Sequence, residues 1–386
     1  MSHTFKDHLA QTTPFPFGIK VSHAEGSYIY DTDGKAYLDL ISGIAVSYLG
    51  HGREEIKDAI KAQTDKHLHV MVYGEFEQEA QNELAEELKQ TLPKSLHSFY
   101  FVNSGTEANE AALKLAKRAT GRRKLISFKG AYHGSTHGSL SVSFNEIKKN
   151  PFRPLLPDVH FIELNNFGDL NQITEKTAAV IMESIQGDAG VRIPSKEYMQ
   201  ALRKRCSEVG ALLILDEIQS GMGRSGKMWA FEHYDMVPDL MTSGKALGAG
   251  LPIGCLAASN KLMQKFSVNP MLGHITTFGG HPLVCAAAAA GLKVLRKEKL
   301  IEKVDEKAQL IKGYLKHPKI VEVRNRGLMF AVELQDAEQV QKVVLKGLEE
   351  EIRRNCIKIY MFKSRQINFN FNCLICTDNA FFIFHF

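Results

Sequence analysis

Four short segments of this 386-residue chain carry residue types that could do chemistry together. In Met241–Gly250 (M-T-S-G-K-A-L-G-A-G) a single lysine, Lys245, is surrounded by small residues. Lysine is rarely buried without a partner, and small neighbours leave room for a flat ligand and let the backbone approach it. A desolvated lysine has a lowered pKa and can act as an amine nucleophile towards an aldehyde. The run Leu212–Ser220 (L-L-I-L-D-E-I-Q-S) sets Asp216 and Glu217 behind four apolar residues, at the carboxyl end of a predicted strand. Ligands of open α/β sheets bind at such ends, and a carboxylate there can hold a positive charge on a ligand. In Phe101–Glu110 (F-V-N-S-G-T-E-A-N-E) a strand turns through Ser104, Gly105 and Thr106 into a helix. The free N–H groups and hydroxyls of that helix start can cup a phosphate. In Lys129–Gly134 (K-G-A-Y-H-G) Tyr132 occupies a Gly-flanked turn, where its ring could stack on a planar heterocycle. Each segment alone has a plainer reading: a surface lysine in a loop, an ordinary N-cap, a core tyrosine. Together they offer an amine for an aldehyde, an acid for a pyridinium nitrogen, a phosphate cup and a stacking ring. Those are the groups that pyridoxal 5′-phosphate (PLP) needs.

Such segments require a scaffold that gathers strand ends. Between about His97 and Ser259 short β-branched or aromatic runs alternate with longer helix-like segments. The pattern predicts strands at Ser98–Val102, Lys124–Phe128, Val159–Ile162, Ala179–Glu183, Ala211–Asp216, Leu240–Ser243 and Gly254–Ala258. Several are apolar without alternation, as expected for strands covered on both faces. Helices are predicted over Thr106–Thr120, stopped by Gly121, and over Lys196–Val209, capped by Ser195 with support from Glu197. This alternation implies an α/β fold: a mostly parallel seven-stranded sheet with helices on both faces. Gly26–Leu40 reads as a hairpin turning at Asp31–Gly34. After about Ala286 an Ala-rich helix leads to charged amphipathic segments, Lys293–Leu315 and Ala337–Arg353, which read as a smaller α+β domain. The expected division is an N-terminal segment 1–60 contributing to the small domain, a large cofactor-binding domain 61–290, and a C-terminal small domain 291–386.

Composition narrows the function classes. Apolar residues make up 44% and charged residues 24%, the balance of a soluble globular protein. No apolar run reaches the roughly 18 residues needed to span a bilayer, and Met1–Lys20 has no apolar signal-peptide core. Of the six cysteines, Cys206, Cys255 and Cys285 read as buried reduced thiols of a cytoplasmic protein. Cys373 and Cys376 form a lone C-x-x-C, which argues against zinc. The net charge of +5 is modest, and Arg122, Arg123 and Lys124 lack the aromatic interleaving of a nucleic-acid surface. From Leu348 to Phe386 there is neither Gly nor Pro, and seven of the 22 Phe fall from Ile357 onward. This tail, atypical from about residue 356, reads as the product of a shifted reading frame or a cloning artefact. An alternate frame of the encoding DNA that restores a Gly- and Pro-containing ending would bear that out.

At the level of whole motifs the sequence resembles the class III (ω-amino acid) aminotransferases, PLP-dependent transferases of fold type I, from about Pro14 to about Leu334. The resemblance is carried by Gly43–Val46 with Leu49–His51, Asn103–Glu110, Ala131–Gly134, Glu183–Gly190, Leu213–Gly226, Ser243–Pro252 and Thr276–Pro282. Its most specific part is D-E-I-Q-S-G-M-G-R-S-G followed by G-K-A-L-G. Acetylornithine and ornithine aminotransferases look nearest, with 4-aminobutyrate aminotransferases close behind. The resemblance implies that Lys245 binds the cofactor's aldehyde as an imine and later carries the proton between substrate and cofactor. It implies that Asp216 keeps the pyridine nitrogen protonated, that Gln219 neighbours the phenolic oxygen, and that Tyr132 stacks on the ring with His133 beside it. Ser104, Gly105 and Thr106 would hold the phosphate. Thr277 would reach the phosphate of the neighbouring subunit's cofactor, which implies a homodimer. Glu183 would be the acid that gates a substrate-binding arginine. The implied reaction moves the amino group of an ω-amino acid, N-acetylornithine or ornithine first, to 2-oxoglutarate. The alternatives are 4-aminobutyrate or another ω-amino acid as donor, or a PLP-binding protein inactivated by its altered tail.

Departures from the family pattern leave the substrate open. Ser135 stands where relatives of the ornithine enzymes usually carry Arg. The family's C-terminal Arg, followed by a Pro-Pro pair, is absent, and the last proline is Pro318. That arginine clamps a substrate carboxylate, a bidentate contact that Lys does not reproduce. His281 replaces a common Asn. Two other functions fit less well. Gly221–Met228 (G-M-G-R-S-G-K-M) approaches a P-loop, but Met228 replaces the Mg²⁺-binding hydroxyl and the loop has no strand–loop–helix unit of its own. The G-x-G-x-x-G at Gly221, Gly223 and Gly226 opens no clear helix, so a dinucleotide site is weakly supported.

Overall fold

The computed structural model describes residues 2–14, 16–72, 74–349 and 382–383. After a short helix, His3–Asp7, comes a three-stranded antiparallel sheet of β1 (Val21–Glu25), β2 (Tyr28–Asp31) and β3 (Ala36–Leu38). β2 and β3 form the expected hairpin. Its turn is held by Asp31, whose Oδ1 accepts the N–H groups of Asp33 (3.0 Å) and Lys35 (2.9 Å). β1 is an addition that the hairpin reading missed. Its V-S-H-A-E is almost wholly exposed and gives no apolar alternation to read.

Seven strands make the central sheet: β4 (Ser98–Val102), β5 (Lys124–Phe128), β6 (Val159–Ile162), β7 (Thr177–Glu183), β8 (Leu212–Asp216), β9 (Leu240–Gly244) and β10 (Gly254–Ala258). Their order is β4-β10-β9-β8-β7-β5-β6. Only β10 runs against its neighbours; the other pairs are parallel. The sheet is therefore the mostly parallel, doubly covered one that the apolar runs predict. Successive residues of β7 and β8 feed two separate cores. Val180, Met182, Leu213 and Leu215 pack on one face, with Leu84, Leu88, Met199, Leu202 and Leu292 from helices. Ala179, Ile181 and Ile214 pack on the other face against the Ala-rich helix Gly105–Thr120.

That helix starts at the N-cap Ser104 and stops at Gly121, which takes φ +70° and returns its N–H to Lys117 O (2.9 Å). The helix Lys196–Val209 has the bounds the sequence predicts, with Ser195 Oγ accepting from Tyr198 N (3.1 Å). Lys293–Leu315, read as one amphipathic segment, is divided. The helix Pro282–Lys297 ends before Lys299 (φ +51°), a short turn covers Leu300–Lys303, and a new helix runs Val304–Tyr314. The reason lies in packing: Leu300 and Ile301 lean on the main core, whereas Val304 and Ala308 belong to a separate cluster with Leu328, Phe330 and Val332. One straight helix cannot serve both. That second cluster lies on β11 (Ile320–Arg326) and β12 (Met329–Leu334), with β13 (Phe382–Ile383) pairing to β12 and the helix Ala337–Glu349 following β12. The expectations about the tail and about Cys373 and Cys376 lie outside the described residues. Cys206, Cys255 and Cys285 are buried free thiols. Among the described residues no helix is long and apolar enough to cross a membrane, and no group of side chains has the makings of a metal site.

Candidate active site

Parallel strands end together, and here their carboxyl ends carry the acids. Glu183 closes β7 beside Asp216 at the end of β8, and Asp216 pairs in register with Thr242 of β9. Lys245 follows the last residue of β9 directly. These ends open on a cavity of about 270 Å³, lined by Gly105, Thr106, Tyr132, His133, Gly134, Ser135, Glu183, Asp188, Asp216, Gln219 and Lys245 among others. Eight of the ten predicted site residues therefore share one cavity: Lys245, Asp216, Gly105, Thr106, Tyr132, His133, Gln219 and Glu183. Ser104 does not line it; its hydroxyl caps the helix by accepting from Glu107 N (3.4 Å). Thr277 lies elsewhere, on an exposed loop whose preceding residue, Thr276, accepts a hydrogen bond from Asn103 Nδ2 (2.9 Å).

Lys245 reaches the cavity from a left-handed backbone (φ +46°). Burial pulls its pKa down; the carboxylates of Asp188, Asp216 and Glu183 pull the other way, and Arg224 adds to the lowering. Asp216 is held on both oxygens. Oδ2 accepts from Asn109 Nδ2 (2.8 Å) and from His133 Nδ1–H (2.7 Å), and Oδ1 accepts from Ile218 N (3.1 Å). Glu183 accepts from Tyr132 N (3.1 Å) and Gly187 N (2.8 Å). Burial, then the neighbouring Asp216 charge, still push its carboxyl well above the usual range. Among the described residues no arginine is hydrogen-bonded to it. Asp188 is pushed up too, by burial, against the pull of Lys148 and Lys245.

Glu217, which adjoins Asp216 in sequence, turns away from the cavity. It accepts the N–H groups of Ala230 (2.9 Å) and Phe231 (2.8 Å) and the hydroxyls of Ser184 and Ser220. Burial lifts its pKa to about 7, and the two backbone N–H groups it accepts tie it to the start of the turn Ala230–Tyr234. The P-loop-like run is accounted for in a similar way. A Cβ on Gly221 would meet Glu217 O at 2.7 Å and the Trp229 ring at 2.9 Å, so this glycine makes room for a tryptophan.

Two residues that bear on the site were missed, Asp188 in the cavity lining and Asn109, buried behind Asp216. Asn109 sits four residues after Gly105 in a motif already noted, on the face of the helix that meets Asp216, so helical spacing could have found it. Asp188 lies in the loop after β7, where no periodicity points inward.

Comparison with known proteins decides what this cavity belongs to. Residues 10–369 match the family described as Aminotransferase class-III. The chain is a class III aminotransferase. It is 39% identical over 339 residues to the [LysW]-aminoadipate semialdehyde/glutamate semialdehyde transaminase of Sulfurisphaera tokodaii, covering 86% of both chains. It is 41% identical over 345 residues to the acetylornithine aminotransferase of Archaeoglobus fulgidus, covering 89% of this chain and 90% of that one. Among solved structures it resembles the adenosylmethionine-8-amino-7-oxononanoate aminotransferase of Methanocaldococcus jannaschii, with TM-score 0.86 and 28% identity over 99% of this chain and 93% of that one. The ornithine aminotransferase of Toxoplasma gondii gives TM-score 0.81 and 28% identity over 89% of this chain and 83% of that one.

As a class III aminotransferase the enzyme catalyses transamination with PLP as cofactor. The residues present fit that cofactor. A Cβ on Gly134 would fall 2.2 Å from Thr106 Oγ1, and one on Gly105 would fall 2.7 Å from Ile218 Cδ1, so both glycines keep the helix start open to the cavity. An amine, a carboxylate held by three donors and an accessible tyrosine ring occupy the same space.

Proposed function

We propose that this aminotransferase takes the amino group of an ω-amino acid, N-acetylornithine or ornithine first, and passes it to 2-oxoglutarate. The observation that carries the reading is the meeting of Lys245 and Asp216 in one cavity within a chain 41% identical to an acetylornithine aminotransferase. The bound cofactor supplies an aldehyde and an electron-withdrawing ring. The chain's own residues do the rest. Lys245, its amine kept uncharged more readily than an ordinary lysine, holds the cofactor and then moves the proton at the substrate carbon that bears nitrogen. Asp216 keeps a positive charge on the ring nitrogen, and His133 orients Asp216. Tyr132 covers the ring, Gln219 stands by the phenolic oxygen, and the backbone N–H groups at Gly105 and Thr106 hold the phosphate, with Ser104 setting the helix start.

Both substrates carry carboxylates, so the cavity mouth needs a cation. Lys148 Nζ lies 5.8 Å from the centroid of the Tyr132 ring, and its charge bears on Asp188. We assign the substrate carboxylate to Lys148, over the ring of Tyr132, and the substrate side of the cavity to Glu183. A second reading has glutamate semialdehyde or [LysW]-aminoadipate semialdehyde as the carbonyl partner, and the similarity to the Sulfurisphaera transaminase of those semialdehydes supports it. Both share one chemistry, since glutamate semialdehyde is what ornithine becomes when its terminal amino group passes to the acceptor and water supplies the carbonyl oxygen in its place.

A homodimer is part of the proposal. Leu68, Met271, Leu272, Ile275 and Phe278 are all exposed apolar residues around Thr277, and His69 packs on Phe278 (4.9 Å between centroids) to join the two segments. Contiguous exposed apolar surface of this kind marks an interface. Of the division into a large domain 61–290 and a small domain built from 1–60 and 291–386, the separate apolar cluster of Val304–Val340 supports the C-terminal part. Three free thiols support a reducing, cytoplasmic setting. The deciding experiment is a screen of amino donors against 2-oxoglutarate, ranked by kcat/KM. N-acetylornithine or ornithine is expected to lead, and a lead for 4-aminobutyrate overturns the substrate assignment.

A further inference from the structure

We infer that Asn109 is a positioning residue for the transamination: it holds the Asp216 carboxylate in one orientation at the cavity floor, and through Asp216 it sets how tightly the cofactor's ring nitrogen is bound. The inference rests on the reading of Asp216 as the partner of that nitrogen.

Asn109 lies in the second turn of the helix Gly105–Thr120 and is 0% exposed. Its side chain makes three hydrogen bonds of 2.8 Å. Nδ2 donates to Asp216 Oδ2 and to His133 O, and Oδ1 accepts from Thr242 Oγ1. One amide thus ties together four segments: the phosphate-side helix, β8, β9 and the turn after β5. Both partners of Nδ2 are acceptors only, while the Thr242 hydroxyl can donate, so the chemistry of the partners fixes which way the amide points. Asp216 then receives Asn109 and His133 on Oδ2 and the Ile218 N–H on Oδ1. The plane of the carboxylate is held from three directions. Removing Asn109 leaves Oδ2 with His133 alone and takes away the bond to the His133 carbonyl, one of the ties on the turn carrying that ring. A satisfied buried network specifies one arrangement, and a reacting site needs its groups held to within about 0.5 Å.

The test uses the full chain as apoprotein. It is titrated by calorimetry with PLP and with 1-deazapyridoxal 5′-phosphate, in which carbon replaces the ring nitrogen. Asn109→Ala is expected to weaken PLP about tenfold and the deaza analogue less than about twofold, because only PLP uses the Asp216 contact. Thr242→Val removes one donor to Asn109 and should show the same selectivity at about threefold, which keeps the test open if the first variant does not fold. Equal losses for the two cofactors overturn the proposal and make Asn109 a packing residue. Asp216→Ala separates this failure from that of the reading beneath it. Selective loss in Asp216→Ala with unselective loss in Asn109→Ala sinks the positioning role alone. Unselective loss in Asp216→Ala removes the ring-nitrogen contact and the proposal with it.

Discussion

Lys245 combines two unfavourable features that make sense only at a reacting site. Its left-handed backbone costs a residue with a side chain about 1–3 kcal/mol, and its amine is desolvated. Three carboxylates favour the charged form, yet burial outweighs them and the pKa falls below the ordinary 10.5. A lowered lysine pKa puts more neutral amine at a given pH. The rate of PLP capture by the apoprotein should therefore rise with pH and level off below 10.5, read by stopped-flow absorbance. A rise that continues past that value would contradict the desolvated amine. Lys245→Ala should abolish the absorbance band of the imine between lysine and cofactor and lower kcat about a thousandfold or more. At the cavity mouth, Lys148→Ala should raise KM for the carboxylate donor about fivefold and leave kcat nearly unchanged, the mark of lost uniform binding.

The helix start and the turn after β5 meet so closely that only glycine fits at their crossing. Gly134 sits at φ +127°, and a methyl there would fall 2.2 Å from Thr106 Oγ1. Gly134→Ala should cost about 1–3 kcal/mol in urea unfolding of the apoprotein and weaken cofactor binding as Thr106 is displaced. Unchanged stability and affinity would show that Thr106 can yield without cost. The sequence pattern was most reliable for elements of this kind. The predicted helix over Lys196–Val209 and strands such as Lys124–Phe128 and Gly254–Ala258 match the structure to the residue, because caps and apolar runs are local signals. It failed at β1, whose exposed residues follow no alternation, and at Lys299, where competition between two cores breaks a helix without Gly or Pro.

For the molecule as a whole, the proposed dimer gathers what a single chain leaves exposed. Met271 is 77% exposed and Phe278 54%, on either side of Thr277 and outside the lining of their own chain's cavity. Charging that surface with Met271→Lys and Phe278→Lys together should shift the protein towards monomer in sedimentation velocity and weaken PLP retention. A dimer that survives both changes would place the interface elsewhere.

Residue chemistry and local pattern were enough to name the class of cofactor and Lys245, Asp216, Gly105, Thr106 and Tyr132 of one cavity, since a lysine among small residues, an acid closing an apolar strand and a hydroxyl-rich helix start each announce themselves locally; His133, Gln219 and Glu183 came from the family resemblance. The sequence alone also carries the family motifs. What it could not hold is adjacency between distant segments. That Asn109 grips Asp216 from 107 residues away, that Glu217 faces a turn instead of the cavity, and that Asp188 joins the lining were all decided by strand order and packing. Side-chain direction at a strand end depends on which donors the neighbouring segments bring, and those donors are set by the three-dimensional fold.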